Sequence, residues 1–96
     1  MPNVRFSSEA ENDLALIADY TIRNWGTNQA NEYLARMEDG LIVLARNPAI
    51  GRACDALQPG MHRFELGKHV VFYICELDGI LVVRILHQSM VPERYL

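Results

Sequence analysis

Two apolar runs, His69–Leu77 and Ile80–His87, stand on either side of Asp78-Gly79. Both are rich in Val, Ile, Phe and Tyr, the side chains that suit a pleated surface. Asp-Gly between such runs is a strong signal for a two-residue hairpin, because both central positions of that turn need positive φ. A third run, Met61–Leu66, precedes Gly67-Lys68, a weaker signal of the same kind. Three antiparallel strands are therefore expected. Two-residue loops at both turns would fix their register. Tyr73 would then face Arg84. Glu65, Val70 and His87 would share one row across the strands, with Arg63, Phe72 and Ile85 in the next row on the same face.

The strand runs lack the alternation expected of a sheet with one wet face. Val70 to Cys75 and Ile80 to Val83 are apolar at successive positions, so both faces need cover. Helices can supply one layer. Ala10, Leu14, Ile17, Ala18, Thr21 and Trp25 recur at spacings of three and four, which predicts a helix up to about Trp25. Glu9, Asp13, Asp19 and Arg23 fall away from that stripe. Ser8 and Glu11 have capping-box spacing, and Gly26 can end the helix in the left-handed conformation. A second helix, capped by Thr27, carries Ala30, Leu34, Met37, Leu41 and Leu44 and is stopped by Pro48. The short connection makes the two helices an antiparallel hairpin.

Asn3–Phe6 is expected as a short first strand whose place in the sheet the pattern leaves open. Residues 48–60, with Pro48, Gly51, Pro59 and Gly60, are expected as a loop. No further helix remains for the second sheet face, and a large bare apolar patch implies a partner. The alternative is that the loop and the C-terminal tail fold over it.

With 96 residues, the chain has room for one domain, 1–96. A hydrophobic share of 50% and a charged share of 22% fit a folded protein. The net charge of -3 lacks the positive excess of proteins that grip nucleic acid, so no sequence-specific nucleic-acid binding is expected. Cys54 and Cys75 match no metal-ligand spacing and suggest no disulfide framework; Cys75 reads as a small hydrophobe in its strand. The N-terminal segment from Met1 to Phe6 has no apolar core of a signal peptide. No apolar run is long enough to span a bilayer. A cytoplasmic protein without a membrane role is expected.

The wording of the chain adds to this architecture. Asp13-Leu14, Ile17, Tyr20-Thr21, the stretch Trp25 to Ala30 and Tyr33 resemble the helix hairpin of ParE toxins, a branch of the RelE/ParE toxin–antitoxin superfamily. Asn47-Pro48, Gly51-Arg52 and Asp55-Ala56-Leu57 resemble their loop. Gly67 to Tyr73, Asp78-Gly79-Ile80, Val83 to His87 and Met90 resemble their strands. The match covers nearly the whole chain, in order. It implies an α+β fold, β-α-α-β-β-β, with the helix hairpin packed on a small antiparallel sheet. It implies a ParD-like antitoxin that wraps the toxin, a role in plasmid or chromosome stabilisation, and DNA gyrase as the poisoned target.

The RelE side of the superfamily, ribosome-dependent mRNA endonucleases, is the alternative. Cleavage needs an acid, a base and cations for the phosphate in flight. Arg63, Glu65 and His87 could cluster on one face, with Tyr95 in the tail. Against this, Arg63 and Glu65 stand where RelE has two lysines. His69 and Ser89 stand where its relatives have arginines. No catalytic residue, cofactor or metal is therefore expected. A toxin that only binds its antitoxin is a third reading.

Candidate target contacts are Arg84, His87, Met90, Arg94 and Tyr95, at the sheet rim and tail; the alternative is that Tyr95 and Leu96 close the core. Arg84, inside an apolar strand, needs either the rim or a carboxylate partner. Candidate antitoxin contacts are Leu16 and Tyr20, left over after the core stripe is assigned, Trp25 and Tyr33 at the helix junction, and Phe72 and Ile74 on the sheet.

Overall fold

The computed structural model describes residues 3–96; Met1 and Pro2, the start of the N-terminal segment read above, lie outside them. Strand β1 (Asn3–Phe6) leads into helices α1 (Ser8–Trp25) and α2 (Thr27–Arg46). After a 3-10 turn at Pro48–Ile50 come β2 (Arg52–Ala53), β3 (Met61–Leu66), β4 (His69–Glu76) and β5 (Gly79–His87). The five strands form one sheet in the order β1-β5-β4-β3-β2. The three long strands are antiparallel as expected, and β1 adds to β5 in parallel, which makes the sheet mixed. The span expected as a plain loop contains the 3-10 turn and the two-residue β2, which pairs with β3.

Helix α1 ends at Trp25 as expected, but both helix starts differ from expectation by one residue. Ser7, not Ser8, caps α1: its Oγ accepts from the Ala10 N–H at 3.0 Å and donates to the Val83 carbonyl at 2.6 Å. Gly26, at φ 87° and ψ 168°, is the single residue between the helices. It caps both, so Thr27 begins α2 rather than capping it. Its φ is positive, but its ψ is extended rather than left-handed helical.

Both helices cover one sheet face. Ala10 and Ile17 of α1 and Met37, Leu41, Leu44 and Ala45 of α2 bury against Val71, Tyr73, Ile80, Val82 and Ile85. The Tyr73 hydroxyl donates to the Pro48 carbonyl at 2.6 Å and accepts from the Gly51 N–H at 3.1 Å, tying the post-helix turn to the sheet. Burial pushes the Tyr73 phenol above its ordinary pKa. Trp25, expected at the end of the α1 stripe, is 62% exposed.

The second face is covered by the chain itself. Met61, Val70, Phe72 and Leu86 are buried there beneath Cys54 and Leu57 of the loop and Met90 and Leu96 of the tail. The apolar content of this face therefore does not require a partner, and the alternative cover is the observed one. Phe72 is fully buried, so it offers no surface for an antitoxin, and Ile74 is half-buried in the same cluster. Cys75, expected as a packed hydrophobe, is exposed.

The β3–β4 register is as expected, with Glu65 opposite Val70 and Arg63 opposite Phe72. The β4–β5 register is not. The turn residues are Leu77 and Asp78, and Gly79 already pairs with Glu76. Gly79 is needed for another reason: a Cβ there would overlap the Asn3 carbonyl of β1. Tyr73 therefore faces Val82, not Arg84. The partner then jumps from Val82 to Arg84 opposite Phe72, leaving Val83 as a bulge. Beyond it, His87 faces His69 rather than Val70. A one-residue slip turns each side chain to the opposite face. His87 thus joins the helix side, away from Arg63 and Glu65, and Ile85 leaves the row of Arg63 and Phe72.

Candidate functional site

β1 pairs with β5 only as far as Val82, so the remainder of β5 is an open edge. The first turns of α1 close it. Ser7 takes the Val83 carbonyl. The Asp13 carboxylate accepts the Ile85 N–H at 2.9 Å and holds the Arg84 guanidinium through Nε at 2.8 Å and Nη2 at 2.9 Å. A two-pronged carboxylate–guanidinium pair is the strong form of this interaction. The Asp13 hydrogen bond raises the Arg84 pKa. Arg84 Nη1 also donates to the Tyr95 carbonyl at 3.0 Å, and its guanidinium lies 5.7 Å from the Tyr95 ring centre. Asp13, which the helical pattern sets off the core stripe, is thus a buried partner. Arg84, the first target candidate, is committed to it and to the tail.

Two clefts continue from this edge on the helix side. One, of about 410 Å³, is lined by Asp13, Leu16, Ile17, Tyr20, His69, Ile85, His87, Ser89 and Met90. The other, of about 280 Å³, is lined by Tyr20, Thr21, Trp25, Gln29, Tyr33, Lys68 and His87. Tyr20 and His87 are common to both. Leu16 and Tyr20 are 59% and 65% exposed, so with Trp25 they form an open apolar rim along the outer side of α1. A third groove, of about 520 Å³, lies between the helices beside β1, with Leu14, Ala18, Leu34 and Met37 in its walls.

In the first cleft, His69 and His87 stand opposite each other on β4 and β5, and His87 also lines the second. Their ring centres are 5.4 Å apart. The Tyr33 hydroxyl lies 2.6 Å from His69 Nδ1 and accepts from the Lys68 N–H at 3.1 Å. His87 Nδ1 lies 2.7 Å from Ser89 Oγ. Burial, with the neighbouring His87, lowers the His69 pKa to about 4, so His69 is neutral at pH 7.

Of the candidates from sequence, the first two clefts gather Leu16, Tyr20, Trp25, Tyr33, His87 and Met90. They do not gather Phe72 and Ile74, which belong to the far face. Arg94 and Tyr95 are exposed in the tail, while Leu96 packs on the far-face cluster. Sequence reasoning missed His69 as part of a histidine pair and Asp13 as a buried anchor. Part of the signal for Asp13 was present: Arg84 in an apolar strand needed the rim or a carboxylate, and Asp13 lies one turn before Ile17.

The cationic chemistry is divided. Arg63 lies over Phe72 at 5.5 Å on the far face, and Glu65 is paired with Arg52. Among the described residues lining the two clefts, Lys68 is the one Lys or Arg. No group of three or more His, Cys, Asp or Glu side chains placed to hold a metal occurs among the described residues. No described helix is long and apolar enough to cross a membrane.

Comparison with known proteins matches this arrangement. The family model for the ParE toxin of the type II toxin–antitoxin system, parDE, matches residues 4–92. Toxin ParE1 of Mycobacterium tuberculosis is 41% identical over 91 residues, covering 94% of this chain and 93% of the relative. Toxin ParE1 of Caulobacter vibrioides is 33% identical over 96 residues, covering 100% of this chain and 99% of the relative. Among solved structures, a chromosomal ParDE system from P. aeruginosa superposes with a TM-score of 0.75 at 18% identity, over 91% of this chain and 96% of that one. A YoeB-YefM complex from Staphylococcus aureus gives 0.61 at 17% identity, over 91% and 97%. At such identities the structures speak for the fold, and the sequence relatives for the family. From its helix hairpin to its last strand, the chain belongs to the ParE toxin family of type II toxin–antitoxin systems.

Proposed function

We propose that this toxin acts in the cytoplasm, is held inactive by a ParD-like antitoxin, and when free poisons DNA gyrase by binding rather than by breaking bonds. The observation that carries the antitoxin part is the exposed apolar rim of Leu16, Tyr20 and Trp25 beside open clefts. Aromatic and aliphatic anchors over a concave floor are what a partner's helix or extended segment buries at an interface centre. Tyr33 lies in the wall of the same surface.

The non-enzymatic part rests on the division of charge. A nuclease of the RelE kind needs its acid, base and cations around one phosphate. Here His87 is on the helix side, and Arg63 and Glu65 are on the other. Gyrase as target rests on the family resemblance. Met90, Arg94 and Tyr95 in the tail beyond β5 are the target contacts proposed, with His87 beside them; Arg84 acts there by holding the tail.

The test is induced expression with and without the neighbouring reading frame, followed by purified gyrase assayed for supercoiling and trapped cleavage complexes. Growth arrest relieved by the neighbour, with gyrase inhibited, is expected. Cleavage of mRNA on ribosomes with supercoiling untouched would replace the gyrase reading by the nuclease one. Binding of the neighbour without growth arrest would mark a toxin that retains only its antitoxin contact.

A further inference from the structure

We propose that the second cleft, of about 280 Å³, receives a carboxylate of the antitoxin, an Asp or Glu side chain set between apolar ones, on Lys68 and the Nε2–H of His87. This rests on the antitoxin part of the proposed function and adds to it the charge of the bound segment. His87 Nδ1 accepts the Ser89 N–H at 3.1 Å and lies 2.7 Å from the Ser89 hydroxyl. The ring proton is therefore on Nε2, which has no hydrogen-bond partner among the described residues. His87 is exposed and lines the cleft. Lys68, exposed in the turn between β3 and β4, lines it too and makes no ion pair among the described residues.

The surroundings supply no competing carboxylate. Among the described residues that line this cleft, none is Asp or Glu. In the adjoining cleft, Asp13 is held by Arg84 and the Ile85 N–H. The acids next to Tyr20 and Tyr33 in the chain, Asp19 and Glu32, pair with Arg23 and Arg36. A chain of net charge -3 thus carries a cleft whose one full charge is positive. Charge of one sign at a cleft wall selects the opposite sign in the occupant. Gln29 brings the first turn of α2 to the same wall. That turn has no acidic residue and no side-chain cap, so the positive end of the helix dipole is unopposed there. One ammonium with neutral N–H donors matches a singly charged carboxylate. A phosphate is better met by the paired N–H groups of an arginine, and no arginine is among the described residues lining this cleft. Tyr20 and Trp25 at the rim, both largely exposed, give apolar contact to the residues that flank the carboxylate. Covered by that contact, the ion pair is stronger than one on an open surface.

The test is calorimetric titration of the full chain with the purified product of the neighbouring reading frame, each variant being checked for folding by circular dichroism. Lys68→Gln should weaken binding about tenfold, as loss of a hydrogen-bonded charged partner does, and Lys68→Glu should weaken it further. His87→Leu should weaken it too, and His87→Gln, which keeps an N–H donor, should recover part of the loss. Arg46→Gln removes the same charge at the far end of α2 and should leave affinity unchanged. Added salt should weaken the wild type more steeply than Lys68→Gln. Asp→Asn and Glu→Gln changes made one at a time in the partner should single out one acid whose loss costs little once Lys68 is replaced. A partner that binds wild type and Lys68→Glu equally well overturns the carboxylate site and leaves the antitoxin reading standing. Equal losses in Lys68→Gln and Arg46→Gln would reduce the effect to general attraction and overturn the site as well. A neighbour that does not bind the wild type overturns both.

Discussion

The two faces of the sheet carry similar apolar side chains and meet different fates. The far face is closed by the chain's own loop and tail, with Cys54, Leu57, Met90 and Leu96 over Phe72 and Leu86. The near face is closed by two helices, and those helices bring an apolar surface of their own. Leu16, Tyr20 and Trp25 remain in solvent beside open clefts. Apolar residues on both sides of a sheet therefore did not reveal where a partner must sit. The uncovered surface lies one layer further out, on the helix that does the covering. Side chains of the far face should govern stability, and those of the outer α1 rim should govern binding.

The sharpest way to break that division is at its most buried point. Phe72→Ala removes a fully buried ring from the far-face core and should cost about 3–5 kcal/mol, measured by urea unfolding. A cost below about 1 kcal/mol would mean that the loop and tail do not pack as described. Next is the anchor that closes the β5 edge. Asp13→Ala strands Arg84 and the Ile85 N–H. Breaking a buried pair costs about 3–5 kcal/mol, and the low end, about 3 kcal/mol, is expected because Arg84 keeps some solvent contact. Asp13→Asn should be milder, since the amide oxygen can still accept from Ile85. Equal losses for the two variants would show that charge contributes little.

The helix hairpin, the three antiparallel strands and their order were legible because each rests on local periodicity. The stripe of α2 placed Ala30, Met37, Leu41 and Leu44 in the core, where they lie. What failed was the register of β4 against β5, while that of β3 against β4 held. Asp78-Gly79 has the composition of a two-residue turn, yet no described non-glycine residue has positive φ, and Gly79 serves the close approach of β1. With the Val83 bulge, the slip moved His87 from the row of Glu65 to the side of His69. Bulges and non-local pairs such as Asp13–Arg84, 71 positions apart, depend on packing that no window of sequence contains. The rim residues Leu16 and Tyr20 were legible by subtraction, as apolar positions outside the core stripe.

A smaller effect should come from the floor of the clefts. Burial and the neighbouring His87 hold the His69 pKa at about 4, below the ordinary 6.5. Between those values the unfolded chain binds a proton that the folded chain does not. The contribution is thus fully present above pH 6.5 and is lost as pH falls towards 4. Urea unfolding, compared between wild type and His69→Gln, should show a steeper loss for wild type from pH 6.5 to 5. That window lies above the titration of most carboxylates. Parallel pH profiles would show that its surroundings do not hold His69 neutral.

The smallest effect on stability, and the one that most directly tests the division, belongs to the outer rim of α1. Leu16→Ser and Tyr20→Ser replace side chains that are already 59% and 65% exposed. Neither residue belongs to either buried cluster. Surface substitutions of this kind usually change stability by within about 0.5 kcal/mol, and serine is only slightly poorer than leucine or comparable to tyrosine in helix propensity. The melting temperature should therefore hardly move. If the antitoxin buries this rim, each truncation removes an interface anchor, and anchors near an interface centre cost about 2 kcal/mol or more in affinity. Calorimetric titration with the purified partner should then show weakening of roughly thirtyfold per variant, against a folded state unchanged by circular dichroism. Unaltered affinity in both would move the partner to the groove between the helices, where Leu34 and Met37 form the walls. A large loss of stability instead would show that the rim is bound within the toxin fold, and the contrast between its two apolar surfaces would fail.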